Sequence, residues 1–402
     1  MSIKSFCMNV GAVLLCALLL TSCITITIKR KANPEQENME QTQTGNEQAQ
    51  EEAVQRILKV GLYLDEGCRG NGPFQWARLL ANSPEIELFL LNGKAIRDGM
   101  LSEVELLLCP GGGGAKQIGA MRPEGYLNVK KFVEEGGLYL GICAGSYNAM
   151  NRAGRFGFLP YDYIQGAGKL ADLAVNFNEE GAKMLGISPG QRVVRYNGGN
   201  IMKATDPIDK GESKVLSVFN SSVSGYGKEA LNFLGTPSVV FGTYGKGKVL
   251  ASSFHPESYE STHDIALGYI YALSGVRPVP QYPKKYRKPV RVGFMTLACV
   301  GPRATYELLD LDNEPSLDVD VFSLHEINTG NLRHYDVIIM PDGDDDSYKR
   351  MFEKEFYVNQ IDAFLERGGR ILASGNGGTY LPKHKNVKVI PVDKGFVKDA
   401  KN

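Results

Sequence analysis

Short apolar runs alternate with amphipathic stretches along the chain from residue 57 onward. The runs at residues 59–64, 86–91, 105–109 and 137–142 are apolar almost throughout, and glycine or proline follows most of them within a few positions. Such runs are typical of strands that are buried on both faces. Their alternation with segments of helical periodicity predicts a parallel sheet with helices on both sides.

The same order of elements returns in the C-terminal part of the chain. Three segments of the first part have second copies at nearly one offset, which is hard to produce by chance and implies two copies of one αβ unit. We therefore predict an α/β protein with two tandem parallel-sheet domains, the second of them shortened. The matched segments are 59–64 with 291–296, 105–112 with 336–343, and 133–140 with 365–372.

The first copy carries an additional portion that the second copy lacks. Alternating side chains and glycine turns at residues 192–200, 238–244 and 247–255 predict antiparallel strands joined by hairpins. A last strand of the second copy is predicted at 387–391. The chain then divides into a leader (1–23), a disordered tether (24–56), a first domain (57–276), a proline-rich linker (277–289) and a second domain (290–402).

The leader predicts export. Its apolar core at residues 11–20 is too short to span a bilayer. Residues 20–23 read Leu-Thr-Ser-Cys, which resembles the lipobox of bacterial lipoproteins, whose cysteine is lipidated and becomes the new N-terminus. The resemblance implies a palmitate-bearing membrane anchor on Cys23 and a place in the cell envelope. An ordinary secretory signal with a chance cysteine is the alternative.

Ile24 follows the lipobox cysteine where the inner-membrane retention signal of enteric lipoproteins has aspartate. By the same resemblance we expect an outer-membrane location, facing the periplasm or the cell surface.

Charge and cysteine usage narrow the functional classes. The chain has 45 Lys and Arg residues against 45 Asp and Glu residues, so nucleic acid is not an expected partner. The one basic run, at residues 284–288, lies among prolines and is interpreted as a solvated linker. An exported chain with so few cysteines is not built on disulfides. Cys109 is expected to be a buried strand residue. Whether Cys68 pairs with Cys299 is left open.

One segment carries candidate chemistry. Residues 137–146 predict a strand, a sharp turn with Cys143 at its tip, and the start of a helix, and glycines flank the turn. A thiol at a helix N-terminus meets the positive end of the helix dipole, which favours the reactive thiolate. His255 and Glu257 supply an imidazole that can take the thiol proton and a carboxylate that can hold the imidazole in one tautomer.

These residues lie in four segments whose order and spacing resemble the class I glutamine amidotransferase-like superfamily, and most closely the N-terminal domain of biotin–protein ligases. The resemblance implies a flavodoxin-like fold, with Cys143 as nucleophile, His255 as base and Glu257 as the orienting carboxylate. It also implies an oxyanion site between the N–H of Ala144 and an N–H of the glycine loop, Gly112 or Gly113. The four segments are 110–113, 141–145, 196–199 and 254–257.

The chain departs from that pattern at Tyr147, where glutamine-hydrolysing relatives carry Gln, so glutamine is a doubtful substrate. The ligase half of biotin–protein ligases is also missing, and biotin transfer is not supported. Tyr196, Asn197 and Gly198 either line the pocket or form only a hairpin turn. A phosphate cradle at residues 111–114 is disfavoured because the lysine and hydroxyl of a P-loop are absent.

The second copy is expected to be catalytically inactive, because Gly375 aligns with Cys143 and no His-Pro-Glu follows. Its acidic residues, Asp342 and Asp344 to Asp346, are interpreted as a surface loop in preference to a cation site.

The sequence leaves two main hypotheses for function. The first is a thiol hydrolase that cleaves an amide or related acyl bond through a thioester on Cys143, without a metal or organic cofactor. The second is a binding module for a small molecule or peptide, in which the triad does no chemistry. A variant of the second is a scaffold whose second domain recruits an envelope protein.

Overall fold

A computed structural model describes residues 56–168, 170–207, 211–223, 233–296, 301–343 and 345–380. The predicted leader with Cys23, most of the tether, Cys299, Asp344 and the strand predicted at 387–391 lie outside the described residues. No helix in the described ranges combines the length and apolar character needed to cross a bilayer.

The first domain contains the predicted alternation of strands and helices. Its strands are β1 (Leu58–Tyr63), β2 (Ile86–Leu91), β3 (Leu106–Cys109), β4 (Leu138–Ile142), β5 (Tyr161–Ile164), β6 (Leu170–Phe177), β7 (Gly190–Asn197), β8 (Ile201–Ala204), β9 (Ser213–Phe219), β10 (Pro237–Tyr244) and β11 (Gly247–Ser252). Its α-helices are α1 (Gly72–Ala81), α2 (Gly93–Arg97), α3 (Gly114–Met121), α4 (Glu124–Glu134), α5 (Ala144–Ala149), α6 (Glu179–Leu185) and α7 (His263–Ser274).

The second domain repeats the first part of that order. Its strands are β12 (Val290–Met295), β13 (Leu317–Phe322), β14 (Val337–Met340) and β15 (Arg370–Ala373). Its α-helices are α8 (Pro302–Asp312), α9 (Leu324–Asn328), α10 (Asp345–Phe352), α11 (Glu355–Glu366) and α12 (Gly375–Tyr380).

The first domain is built on one mixed sheet in the order β2-β1-β3-β4-β11-β10-β9-β6-β7. The strands from β2 to β11 run parallel, and β10 to β7 continue the sheet in antiparallel fashion. Strands β3 and β4 are buried at every position because helices cover both faces, which explains why their sequences are apolar throughout. Two clusters of buried side chains form the core on the two faces of this sheet.

The second sheet has the order β13-β12-β14-β15 and is parallel throughout. Its register matches that of the first sheet: Val60 pairs with Leu106 as Val292 pairs with Val337. The prediction of an α/β fold with two tandem parallel-sheet units, the second shortened, is confirmed.

One predicted hairpin is confirmed and another is wrong. β10 and β11 pair antiparallel through a tight turn, as predicted. β7 pairs with β6, whereas β8 leaves the main sheet and pairs with β5 in a small separate sheet. The turn at Asn197 and Gly198 is therefore not a β-hairpin between paired strands. It redirects the chain because Gly198 takes a positive φ of 74°.

The linker at residues 277–289 is more tightly bound than its composition predicts. Most of its side chains are exposed, but Lys285 donates hydrogen bonds to the carbonyls of Asp312 and Glu314 in the second domain. The N–H of Gln281 donates to the carbonyl of Asn82 in the first domain. The linker thus contacts both domains and is only partly solvated.

Candidate functional site

The carboxyl ends of neighbouring parallel strands create the candidate site. β4 lies between β3 and β11 in the sheet, and all three point the same way. The chain after β3 forms the glycine loop, the chain after β4 carries Cys143, and the chain after β11 carries His255. Segments far apart in sequence therefore meet at one sheet edge, which is where parallel α/β sheets bind ligands.

Cys143 occupies a strained turn between β4 and the short helix α5. Its φ is 48° and its ψ is −97°, and no other non-glycine residue in the described part of the chain has a positive φ. Its N–H donates to the carbonyl of Ser252 on β11 at 2.8 Å. Backbone strain of this kind persists only where the surroundings impose it, and it is common at catalytic nucleophiles.

The flanking glycines are what allow this turn. A Cβ on Gly145 would lie 2.0 Å from the carbonyl oxygen of Cys109, and a Cβ on Gly141 would lie 2.5 Å from Gly145. Helix α5 thus packs directly against β3 and β4, and the side chain of Cys143 is left 4% exposed at the bottom of the site.

His255 and Glu257 form a buried pair. Nδ1 of His255 lies 2.8 Å from Oε1 of Glu257, and the Glu257 side chain is completely buried. Since the carboxylate accepts from Nδ1, the free nitrogen Nε2 faces away from the pair. Nε2 is itself buried and has no partner in hydrogen-bond geometry. The backbone N–H of His255 donates to the carbonyl of Arg195, and the ring contacts Gly111, where a Cβ would lie 2.5 Å from Cε1.

The pKa of His255 depends on Cys143 as well as on Glu257. Burial by itself lowers the pKa of His255, but the neighbouring Glu257 carboxylate and the Cys143 side chain outweigh it and raise the pKa to about 10. Sγ of Cys143 donates its hydrogen bond to the carbonyl of Asn197 at 3.5 Å and not to Nε2 of His255.

Of the two candidate N–H groups in the glycine loop, one is already bonded within the protein. The N–H of Gly113 donates to the carbonyl of Gly67 at 2.6 Å, so it is not available to a ligand. Gly112 has a φ of 140°, and a Cβ there would lie 1.8 Å from the same carbonyl oxygen. The donors left for an oxyanion are the N–H groups of Gly112 and Ala144.

The segment from Tyr196 to Asn200 forms the opposite wall. The carbonyl of Asn197 accepts from the Cys143 thiol, and the carbonyl of Gly198 accepts from the Tyr147 hydroxyl at 3.0 Å. Tyr196 is fully buried, and its hydroxyl donates to the carbonyl of Gly199 at 2.8 Å. Of the two interpretations of this segment, contact with the site is the one that the geometry supports.

Tyr147 ties two loops together. Its hydroxyl donates to the carbonyl of Gly198 and accepts from the N–H of Gly166 at 2.9 Å. Burial raises the pKa of Tyr147, so the hydroxyl keeps its proton. Its ring packs edge-on against Tyr163, with the centroids 4.6 Å apart. The position where glutamine-hydrolysing relatives carry Gln is therefore occupied by a structural ring.

The sequence did not predict a buried polar cluster next to the Cys143 turn. Oδ1 of Asn200 accepts from the hydroxyls of Ser146 and Ser253, each at 2.9 Å. Ser146 lies on α5 and Ser253 precedes His255, so the cluster links the segments that carry Cys143 and His255. The signal was present in the motif Asn-Gly-Gly-Asn, but only three-dimensional pairing shows that its last residue contacts both segments.

His263, at the start of α7, contacts the segment that carries Glu257. Its ring lies with Nε2 3.2 Å from the carbonyl of Glu257. Burial lowers the pKa of His263, so the neutral ring is favoured. It supports the backbone that carries the carboxylate.

The second domain keeps the turn without the nucleophile. Gly375 has a φ of 49°, almost the value found at Cys143. A Cβ on Gly375 would lie 2.2 Å from Oδ1 of Asp342, so that carboxylate fills the space where a thiol would stand. Asp345 and Asp346 are exposed in the first turn of α10. Across the described residues, no three His, Cys, Asp or Glu side chains are grouped to hold a metal ion.

A family model described as "Biotin-protein ligase, N terminal" matches residues 95–158. The matched segment contains the glycine loop, β4, Cys143 and α5, and it ends before His255. The resemblance to the N-terminal domain of biotin–protein ligases is thus confirmed over this segment.

Several other proteins are similar over larger parts. An uncharacterized protein from Chlamydia muridarum is 30% identical over 125 residues, which are 29% of this chain and 43% of that protein, so the match spans less than half of that relative. The structure of PurLQS from Thermotoga maritima aligns with 54% of this chain and 100% of its own at 17% identity and a TM-score of 0.40. A structure described as a glutamine amidotransferase aligns with 54% of this chain and 99% of its own at 23% identity and a TM-score of 0.37.

Proposed function

We propose that the first domain is a thiol hydrolase that cleaves an amide or related acyl bond. The observation that supports this most is the placement of a strained cysteine, with φ of 48°, beside a buried imidazole–carboxylate pair. A nucleophile, a base within its reach and a group that orients the base are the three parts that covalent acyl transfer requires.

In the proposed reaction the Cys143 thiolate attacks the carbonyl carbon of the substrate, and His255 holds the thiol proton. The tetrahedral intermediate collapses when His255 gives that proton to the leaving amine or alcohol, which leaves a thioester on Cys143. His255 then takes a proton from water as the water attacks the thioester, and returns it to the sulfur as the acid product leaves. Glu257 accepts from Nδ1 throughout, so Nε2 is the nitrogen that exchanges the proton.

The negative oxygen of each tetrahedral intermediate would lie between the N–H groups of Gly112 and Ala144. Each such donor typically contributes about 3 kcal/mol to transition-state stabilisation. Gly112 cannot carry a side chain, because a Cβ there would overlap the carbonyl of Gly67. The backbone can thereby approach a substrate closely.

Glutamine is not the substrate that this proposal favours. Position 147 carries a tyrosine, which has no carboxamide. Its hydroxyl and ring are already engaged by two backbone hydrogen bonds and a ring contact. A different amide, thioester or ester group is the expected target.

The test compares the wild-type chain with Cys143→Ala on libraries of amides and esters. We expect turnover by the wild type, a loss of about a thousandfold or more in the variant, and an acyl adduct on Cys143 by mass spectrometry. An alkylating probe should also label Cys143 faster than the buried Cys109. No turnover together with equally slow labelling of the two cysteines would overturn the proposal.

One observation favours the second candidate, a non-catalytic pocket for a small molecule or peptide. The Cys143 thiol donates to the carbonyl of Asn197 and leaves Nε2 of His255 without a partner in hydrogen-bond geometry. A receptor would bind a ligand equally well after Cys143→Ala, whereas a hydrolase variant would accumulate bound substrate that the wild type consumes.

We further propose that the protein is anchored in the cell envelope through lipid on Cys23, with its domains held off the membrane by residues 24–56. The support is the sequence resemblance to a lipobox and the polar character of the following residues. Feeding cells a clickable palmitate analogue should label the wild-type chain and not Cys23→Ala. A labelled variant, or an unlabelled wild type in the soluble fraction, would contradict the anchor.

A further inference from the structure

Helix α1 packs on the core of the first domain through Trp76 and Leu80, and it is also attached to the second domain. The ring of Phe74 is 1% exposed and lies in a cluster whose other members all come from the second domain. Its centroid is 5.9 Å from that of Phe294 on β12. The core of the second domain therefore includes a side chain from the first.

Asn71, just before α1, strengthens this attachment. Residues at this position usually cap the helix with their side chain, but Asn71 makes no such bond. Its Nδ2 instead donates to the carbonyl of Val321, and its Oδ1 accepts from the hydroxyl of Thr296. Both partners belong to the second domain, so the start of the helix is fixed from outside its own domain.

A third contact fixes the other end of α1. Arg78 makes two hydrogen bonds to the carboxylate of Asp312 at 3.0 and 2.9 Å, and a further one to the carbonyl of Val319 at 3.2 Å. The Asp312 side chain is 4% exposed. The helix is thus held along its length by charge, ring packing and amide hydrogen bonds.

The start of the same helix touches the triad carboxylate. A Cβ on Gly72 would lie 2.5 Å from Oε1 of Glu257 and 3.5 Å from Nδ1 of His255. The other carboxylate oxygen, Oε2, is buried without a hydrogen-bond partner. Because only one oxygen is tied by a hydrogen bond, the orientation of the carboxylate depends on what packs against it, and Gly72 is that surface.

We propose that the second domain is a positioning module for the triad: through Asn71 it holds Gly72 against Glu257 and so keeps Glu257 oriented toward His255. Asn71 is a positioning residue and touches no reacting atom. The inference rests on the proposed function for its meaning in catalysis, but the contacts themselves are independent of any substrate. It explains why an inactive copy of the αβ unit remains attached to an active one.

The test uses the full chain with Asn71→Ala, and Asn128→Ala as the matched control. Asn128 also donates to backbone carbonyls, those of Ile96 and Arg97, but both lie inside the first domain. The readouts are the titration of the His255 ring by NMR, assigned with His255→Gln, and the pH profile of Cys143 alkylation. The titratable groups that act on the His255 ring are Glu257 and Cys143, so a shift reports on that group of three.

We expect Asn71→Ala to move the His255 titration toward the ordinary histidine range and to slow Cys143 alkylation about tenfold near neutral pH, as small displacements of catalytic groups do. Asn128→Ala should leave both unchanged. Should Asn71→Ala fail to fold, Thr296→Val removes only one of the two contacts and should give a smaller shift of the same sign. A wild-type titration in a folded Asn71→Ala or Thr296→Val chain overturns the inference.

The two proposals fail separately in this design. A chain that hydrolyses no acyl bond, but whose His255 titration responds to Asn71→Ala, refutes the hydrolase and supports the positioning role. A chain that hydrolyses acyl bonds equally well with and without Asn71, at an unchanged pH profile, refutes the positioning role alone.

Discussion

At the scale of single residues, the backbone of Cys143 separates the two copies of the αβ unit. Both copies have a positive φ at the strand-to-helix turn, 48° at Cys143 and 49° at Gly375. Glycine adopts this conformation without steric cost, whereas a residue with a Cβ is strained there. The second copy has the residue that the backbone favours, and the first copy has the residue that chemistry would need. Strain retained at one position of a repeat is an argument for function at that position.

This comparison predicts the order of stability of two variants. Cys143→Ala removes the thiol but keeps the strained Cβ, and Cys143→Gly removes both. We expect Cys143→Gly to be more stable than Cys143→Ala by about 1 kcal/mol, the relief of strain less the extra entropy of glycine in the unfolded chain. Denaturant unfolding of the two variants measures the difference. A more stable alanine variant would show that the turn is not strained.

A second residue-scale prediction concerns pH. In the folded chain the pKa of His255 is raised to about 10, above its ordinary value of 6.5. The fold thus favours the charged imidazole, and the resulting stability is fully present below about pH 6.5 and is lost as the pH rises through about 10. Replacing Glu257 with Gln removes the main charge that raises the pKa of His255.

The free energy of unfolding of the wild type should therefore exceed that of Glu257→Gln by on the order of a few kcal/mol near pH 6, and by much less near pH 10. Glu260→Gln, an exposed acid three positions later, serves as the control and should show a small difference at both pH values. A gap between wild type and Glu257→Gln that widens toward pH 10 would contradict the raised pKa.

At the scale of elements, the sequence predicts the parallel strands well and the antiparallel ones less well. β3 and β4 are buried on both faces, so their apolar runs are distinct, and the register repeats between domains. The turn after β7 was ambiguous because Asn-Gly favours a hairpin locally, while the choice between β6 and β8 as partner is made by long-range packing. The candidate triad could be predicted from motif spacing. The engagement of the Gly113 N–H could not, because its acceptor, the carbonyl of Gly67, lies in a segment that no local pattern connects to the glycine loop.

The contact between α5 and β3 leads to a prediction for Gly145. A Cβ there would lie 2.0 Å from the backbone oxygen of Cys109, so Gly145→Ala must push the helix away from the sheet. We expect a loss of about 2–4 kcal/mol in the free energy of unfolding and slower alkylation of Cys143. Gly119→Ala in α3 is the control, since nothing lies within 4 Å of a Cβ at that position. It should be neutral or stabilising by up to about 1 kcal/mol. Equal behaviour of the two variants would refute the close approach of α5.

At the scale of the whole molecule, the two domains are joined by more than a linker. The repeat in the sequence predicts two similar units, but it cannot show that Phe74 of the first unit lies in the core of the second. Phe74 is an ordinary apolar position of an amphipathic helix when viewed alone, and its partners come more than two hundred residues later. The linker adds contacts to both sides, such as the N–H of Val279 donating to the Glu85 carboxylate at 3.0 Å. The structure is therefore expected to unfold as one cooperative unit.

The ion pair across the domain contact allows a direct test of that cooperativity. Asp312→Asn leaves Arg78 facing a neutral partner in a contact where the Asp312 side chain is 4% exposed and that of Arg78 is 25% exposed. Breaking such a pair should lower the free energy of unfolding by about 2 kcal/mol. The matched control is Asp264→Asn, which breaks a bidentate pair with Arg192 inside the first domain. The Asp264 side chain is 47% exposed, so this variant should lose less than about 1 kcal/mol.

The single tryptophan, Trp76, is buried on α1 and reports on this helix, whereas circular dichroism reports on the whole chain. The two signals should change at one denaturant concentration in the wild type and at a lower shared concentration in Asp312→Asn. Separate transitions in the wild type, or equal losses for the two variants, would show that the domains fold independently and that α1 is not shared.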